Sequence, residues 1–115
     1  MSSDAENQSA ERRASVRVPL DIPHFVIVRH RPSGMEYTAL LEDCSRGGVR
    51  IDMPVTDEVI EWNNAEVDIE DMPGALGSGV FAGSVCWVRG SQCGVRFHQE
   101  LPVSDEELAA IIQGI

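Results

Sequence analysis

The sequence predicts a mostly β protein: a small six-stranded antiparallel β-barrel with a flexible, Arg-rich N-terminal arm and a short C-terminal helix. Three observations predict it. Six short apolar or alternating runs are separated by Gly-, Pro- and Asp-rich turn signals. Pro19 and Pro23 follow closely on a charged stretch and exclude a long helix there. Near the C-terminus, Ser104 and Glu107 have the spacing of a capping box, and apolar residues at helical spacing follow.

The 115 residues suffice for one domain with one core. Met1 to Ala10 is polar and acidic and is expected to be a disordered tail. Residues 11–103 are assigned to the barrel with its arm, and residues 104–115 to a helix packed on it. The first strand is His24 to His30, and Arg31-Pro32-Ser33-Gly34 turns the chain. Glu36 to Glu42 is the second strand. Asp43 to Gly48 forms a junction, and Val49 to Asp52 alternates as a half-buried strand does.

Thr56 to Asn64 is acidic, with Val59, Ile60 and Trp62 as its apolar content. A loop crossing a barrel end is its first reading and a short helix its second. Ala65 to Glu70 alternates cleanly. Asp71 to Gly74 is a turn, and Gly74, Gly77 and Gly79 suggest a loose connection. Val80 to Val88 is a long strand, with Gly83 the expected place for a bulge. Arg89-Gly90-Ser91-Gln92 has the Gly-first pattern of a type II′ hairpin, and Cys93 to His98 returns. That register sets Trp87 opposite Gly94, so the indole can lie over the glycine. In the helix, Leu108, Ile111, Ile112 and Ile115 share one face.

The net charge is −10, but it is unevenly placed. Residues 1–50 carry seven Arg and seven acids, and residues 51–115 carry two Arg and twelve acids. The acidic second half disfavours a DNA or RNA polymer as partner. All nine basic residues are Arg, whose planar fork grips phosphate in two places and stacks on rings. No run is long and apolar enough for membrane insertion, and the first residues lack an export signal, so a cytoplasmic location is expected. The three cysteines, Cys44, Cys86 and Cys93, form no C-x-x-C pair. This argues against a disulfide framework and a metal site, and leaves free thiols serving as small core hydrophobes. If one has a redox role, Cys44 is the best placed. His24, His30 and His98 are scattered, and no serine sits in a nucleophile motif, so no catalytic residues, no catalytic cofactor and no enzyme activity are expected.

Two stretches carry the candidate chemistry. Arg12-Arg13-Ala14-Ser15-Val16-Arg17 supplies three guanidinium groups on the arm. Asp43-Cys44-Ser45-Arg46-Gly47-Gly48 supplies a carboxylate, a hydroxyl, a fourth guanidinium and two glycines that can take positive φ and admit close approach to the backbone. Together they suit one anionic ligand that also bears a base.

Arg13-x-x-x-Arg17 followed by Asp43-x-Ser45-x-x-Gly48 resembles the PilZ domain, a bacterial receptor for the second messenger cyclic di-GMP. Gly83-x-Val85-x-Trp87 and Gly94-Val95-Arg96-Phe97 look like that family's closing hairpin, and the resemblance covers about Glu11 to Glu100. It implies a stand-alone cyclic di-GMP effector acting in motility or biofilm regulation through an unidentified downstream protein. Arg12, Arg13 and Arg17 would hold guanine edges, ring faces and phosphates. Asp43 would accept from guanine N1–H and N2–H. Ser45 would donate to a phosphate or orient Asp43, and Gly47 and Gly48 would leave room for the ligand. Trp87 would stack or line the pocket, and Arg46 would add charge. Arg12 before the pair leans toward an intercalated ligand dimer. The alternative function is a nucleotide-independent PilZ-like adaptor that binds a protein through the acidic face of residues 52–71.

Overall fold

The computed structural model describes residues 16–54, 56 and 60–114. The strands are β1 (Val18–Pro19), β2 (Phe25–His30), β3 (Met35–Ser45), β4 (Gly48–Asp52), β5 (Glu66–Glu70), β6 (Phe81–Arg89) and β7 (Gln92–Phe97), and the helix is α1 (Asp105–Gln113). All pairings are antiparallel, and β3-β2-β5-β6-β7-β4 closes on itself through β3–β4. This is the expected six-stranded barrel. β1 is an additional two-residue strand. It lies on β3 beyond the end of β2, pairing Val18 with Cys44 and Pro19 with Asp43. Pro19 is tolerated because this is a sheet edge.

Alternation decides what enters the barrel. Val67 and Ile69 of β5 are fully buried, while Glu66, Asp68 and Glu70 alternate with them on the outside. Val26 and Val28 do the same in β2. Each such side chain contributes about 1.5–3 kcal/mol by leaving water, as an upper bound.

The helix closes the end where β3 finishes. Ser104 Oγ accepts from Glu107 N at 3.1 Å, and Glu107 Oε1 accepts from Ser104 N at 2.9 Å, which is the expected capping box. Leu108 and Ile112 enter the core, and Ile111 packs at its margin. Gly114, at φ 74°, ends the helix. Ile115 lies outside the described residues. At the opposite end His30 is buried. Its Nε2 donates to Glu61 O at 3.0 Å, its Nδ1 lies 2.8 Å from Ser33 Oγ, and its ring meets Trp62 edge-on.

Several details differ from the expectation. The strand expected to stop at Glu42 continues through Asp43 and Cys44 to Ser45, so the Asp-Ser stretch is strand and the turn is Arg46-Gly47 alone. Gly83 is not a bulge. It pairs regularly with Val67 and Phe97, and a β-carbon there would lie 2.5 Å from Arg96 O, so close strand approach is what requires glycine. The bulge of β6 falls at Cys86, between Val85 and Trp87. Residues 74–78 form a 3₁₀ turn that buries Leu76, not a loose connection. Residues 60–64 are a loop turning at Asn64, whose φ is 64°; residues 57–59, with Val59, lie outside the described part.

Candidate functional site

A second bulge builds the site. β3 and β4 lose register between Leu41 and Asp43, so Glu42 is an extra residue. Leu41 opposite Ile51 and Cys44 opposite Val49 both face the core. Asp43, opposite Arg50, is thereby turned to the outer face, as is Ser45. Without the extra residue, the alternation that buries Ala39 and Leu41 would drive the carboxylate into the barrel, where an unpaired charge is strongly disfavoured.

β1 then brings the arm to the same place. Its pairing with Asp43 and Cys44 fixes the root of the arm beside β3, and Arg17 immediately precedes it. Arg17 Nη1 donates to Asp43 Oδ1 at 2.8 Å. Arg50 Nε lies 2.9 Å from Asp43 Oδ2, an ion contact off the direction of a hydrogen bond. Asp43 is only 7% exposed, so both its oxygens face arginines at the edge of solvent. A carboxylate has about four lone-pair sites, which leaves acceptor capacity for further donors.

The other expected residues divide into two groups. Trp87 belongs with Asp43. Arg50 sits opposite Gly94 on β7, and Gly94 sits opposite Trp87 on β6, so Asp43, Arg50, Gly94 and Trp87 form one row across four strands. The indole lies over Gly94, as the hairpin register requires. Arg89 adds a guanidinium 5.3 Å from the Trp87 ring centroid.

Ser45, Arg46, Gly47 and Gly48 are engaged within the protein. Ser45 is buried and its hydroxyl donates to Gly48 O at 3.4 Å, a long bond. Arg46 Nε is 3.2 Å from Asp105 Oδ1 and its Nη2 is 3.8 Å from Glu100 Oε2, which ties the hairpin to the start of α1. Gly47 O accepts from Phe97 N at 2.8 Å. Neither Gly47 nor Gly48 has positive φ. A β-carbon on Gly48 would lie 2.2 Å from Val95 O, so what comes close to Gly48 is β7. Arg12 and Arg13 lie outside the described residues.

Cys44 lies under Asp43 with no exposure, and its thiol is pushed up to about 12 by burial first and by the Asp43 charge second, with Arg17 opposing. Burial also raises Cys93, to about 11. Such thiols are poor nucleophiles and fit the core role. Among the described residues, no cluster of three or more His, Cys, Asp or Glu has the geometry to hold a metal.

Sequence reasoning missed Arg50 and Arg89. Arg50 was legible only as the polar position of an alternating strand, and Arg89 only as a turn residue. Their neighbours are set by pairing with distant strands.

Fold and site thus define a small antiparallel barrel with an arginine-held carboxylate and an aromatic ring on one outer face. The chain belongs to the PilZ domain family, whose profile matches residues 11–114. That family is known as a receptor for cyclic di-GMP. No curated protein matches the chain. Among the described residues, no helix is long and apolar enough to cross a membrane.

Proposed function

We propose that this protein is a cyclic di-GMP effector that acts in the cytoplasm by binding rather than by catalysis. The observation that carries the reading is the Arg17–Asp43 contact. It joins the two stretches that resemble the family's motifs at one point of the outer face.

Asp43 accepts from guanine N1–H and N2–H. Arg12, Arg13 and Arg17 take the phosphates and the guanine O6/N7 edge, each fork being suited to both. Trp87 offers a ring for stacking. Arg46 stays with Asp105 and Glu100, and Gly48 keeps β4 against β7. Ligand competes with Asp43 for Arg17, and the segment bearing Arg12 and Arg13 closes over it from the root fixed by β1. Holding that segment costs about 1–2 kcal/mol per residue of backbone. Charge-assisted bonds of roughly 1.5–3 kcal/mol each offset this. The closed segment presents a new surface to a downstream protein. Arg12 beside the pair favours two stacked ligands over one.

The alternative is the adaptor reading, and four carboxylates of its acidic face have partners within the protein. Asp68 is held by Arg31, Glu70 by Arg29, Glu66 by His98 and Ser84, and Asp52 by Ser91.

Calorimetric titration tests the proposal. The wild type is expected to bind cyclic di-GMP saturably in the presence of GTP, and Arg13→Ala and Arg17→Ala to abolish binding. A folded wild type that takes up no cyclic di-GMP overturns it.

A further inference from the structure

Arg50 stands in the site but belongs to neither motif. It faces Asp43 across β3–β4 on one side and Gly94, beneath the Trp87 indole, on the other. Its Nε is out of solvent against Asp43 Oδ2, while the side chain as a whole is 40% exposed. Its one ion-pair partner among the described residues is Asp43, and no hydrogen bond there engages its Nη atoms. In the row of strands a guanidinium thus sits between the carboxylate and the glycine that lies under the indole, with no hydrogen bond from its terminal nitrogens.

Purine chemistry gives those nitrogens a use. A guanine that donates N1–H and N2–H to Asp43 carries O6 on the carbon next to N1. A donor already touching the same carboxylate therefore reaches O6. Adenine has an amino group where guanine has O6, and its N1 carries no hydrogen. Against Asp43 and Arg50 it would set donor against donor and leave the carboxylate short of its bonds, the kind of mismatch that costs most in a polar site.

We infer that Arg50 is a base-reading residue that donates from Nη to guanine O6 and so selects guanine over adenine in a cyclic dinucleotide. The inference rests on reading this face as a cyclic di-GMP site.

The experiment measures the dissociation constants of cyclic di-GMP and cyclic di-AMP for the wild type, Arg50→Ala and Arg50→Gln, with thermal melts of each. The wild type is expected to prefer cyclic di-GMP, and Arg50→Ala to reduce that preference by about tenfold or more. Arg50→Gln, whose carboxamide oxygen can accept from an adenine amino group, is expected to gain affinity for cyclic di-AMP. If Arg50→Ala melts early, Arg50→Gln, which keeps part of the stem, decides alone. Both variants keeping the wild-type ratio would mean that Arg50 only steadies Asp43, and the inference fails while the ligand reading stands. A wild type that binds neither nucleotide overturns the ligand reading, and the inference with it.

Discussion

The indole of Trp87 fills the space a side chain on Gly94 would need: a β-carbon there would lie 2.1 Å from Trp87 Nε1. The two residues are direct partners across β6 and β7, just beyond the bulge at Cys86. Gly48 is enclosed as closely by a different neighbour, since its β-carbon would lie 2.2 Å from the backbone carbonyl of Val95. The indole is partly exposed and can swing outward, whereas the carbonyl is fixed in a strand. Gly94→Ala is therefore expected to cost roughly 1–3 kcal/mol and to shift Trp87 fluorescence to the red. Gly48→Ala is expected to cost more, by separating β4 from β7. Denaturant unfolding of both variants checks the order, and the reverse order would mean that the strands yield more readily than the ring.

This pair also shows what a sequence discloses. Trp87 opposite Gly94 follows from counting back across a two-residue turn, because a hairpin's register is local. The capping box and the alternation of β2 and β5 are local too. The bulges at Glu42 and Cys86 are not, since no residue type there announces an extra residue. They arise where β3 must match β4 and β6 must match β7. Asp43 and Ser45 face outward only because of the first of them. Arg50 acquires its meaning when β4 is laid between β3 and β7. Gly48 was legible as a glycine that lets something approach, but not that β7 is what approaches.

The three thiols should separate sharply in reactivity. Cys44 and Cys93 are buried, and their pKa values are pushed up to about 12 and about 11, whereas Cys86 is exposed. At about pH 8 the native protein should react quickly with a thiol-specific disulfide reagent at Cys86 alone, and at all three cysteines once unfolded. Mass spectrometry of the labelled protein reads the sites. Rapid native labelling of Cys44 would reopen a redox role for it.

Acid sensitivity should appear at Glu66, as it should at Glu107, whose carboxyl is held down by its bonds to Ser104 in the capping box. The hydroxyl of Ser84 donates to one of the Glu66 oxygens, and His98 engages the other. These bonds hold the carboxyl below its ordinary 4.5, with the Ser84 bond the larger cause. A depressed carboxylate contributes stability that is present above the unfolded value and is lost as pH falls through the native one. The loss should therefore begin near the ordinary value and finish below it. NMR titration should place the Glu66 midpoint below 4.5, and Ser84→Ala should move it upward. An unchanged midpoint in that variant would assign the shift to His98.

Asp43 should matter more to stability than the arginine it visibly binds. The Arg17 side chain is 55% exposed, so its pair with Asp43 is screened and should contribute below about 1 kcal/mol. Asp43 also faces Arg50, whose Nε has left water and has no hydrogen-bond acceptor. Removing the carboxylate strips that buried nitrogen of its counter-charge. Asp43→Ala is thus expected to cost about 1–3 kcal/mol, against less than about 1 for Arg17→Ala. A double-mutant cycle on these two positions should give a coupling that shrinks as salt is raised. The Arg50–Asp43 coupling, closer to the barrel, should persist. Equal costs for the two single variants would mean that Asp43 serves Arg17 alone and that Arg50 is held by its strand.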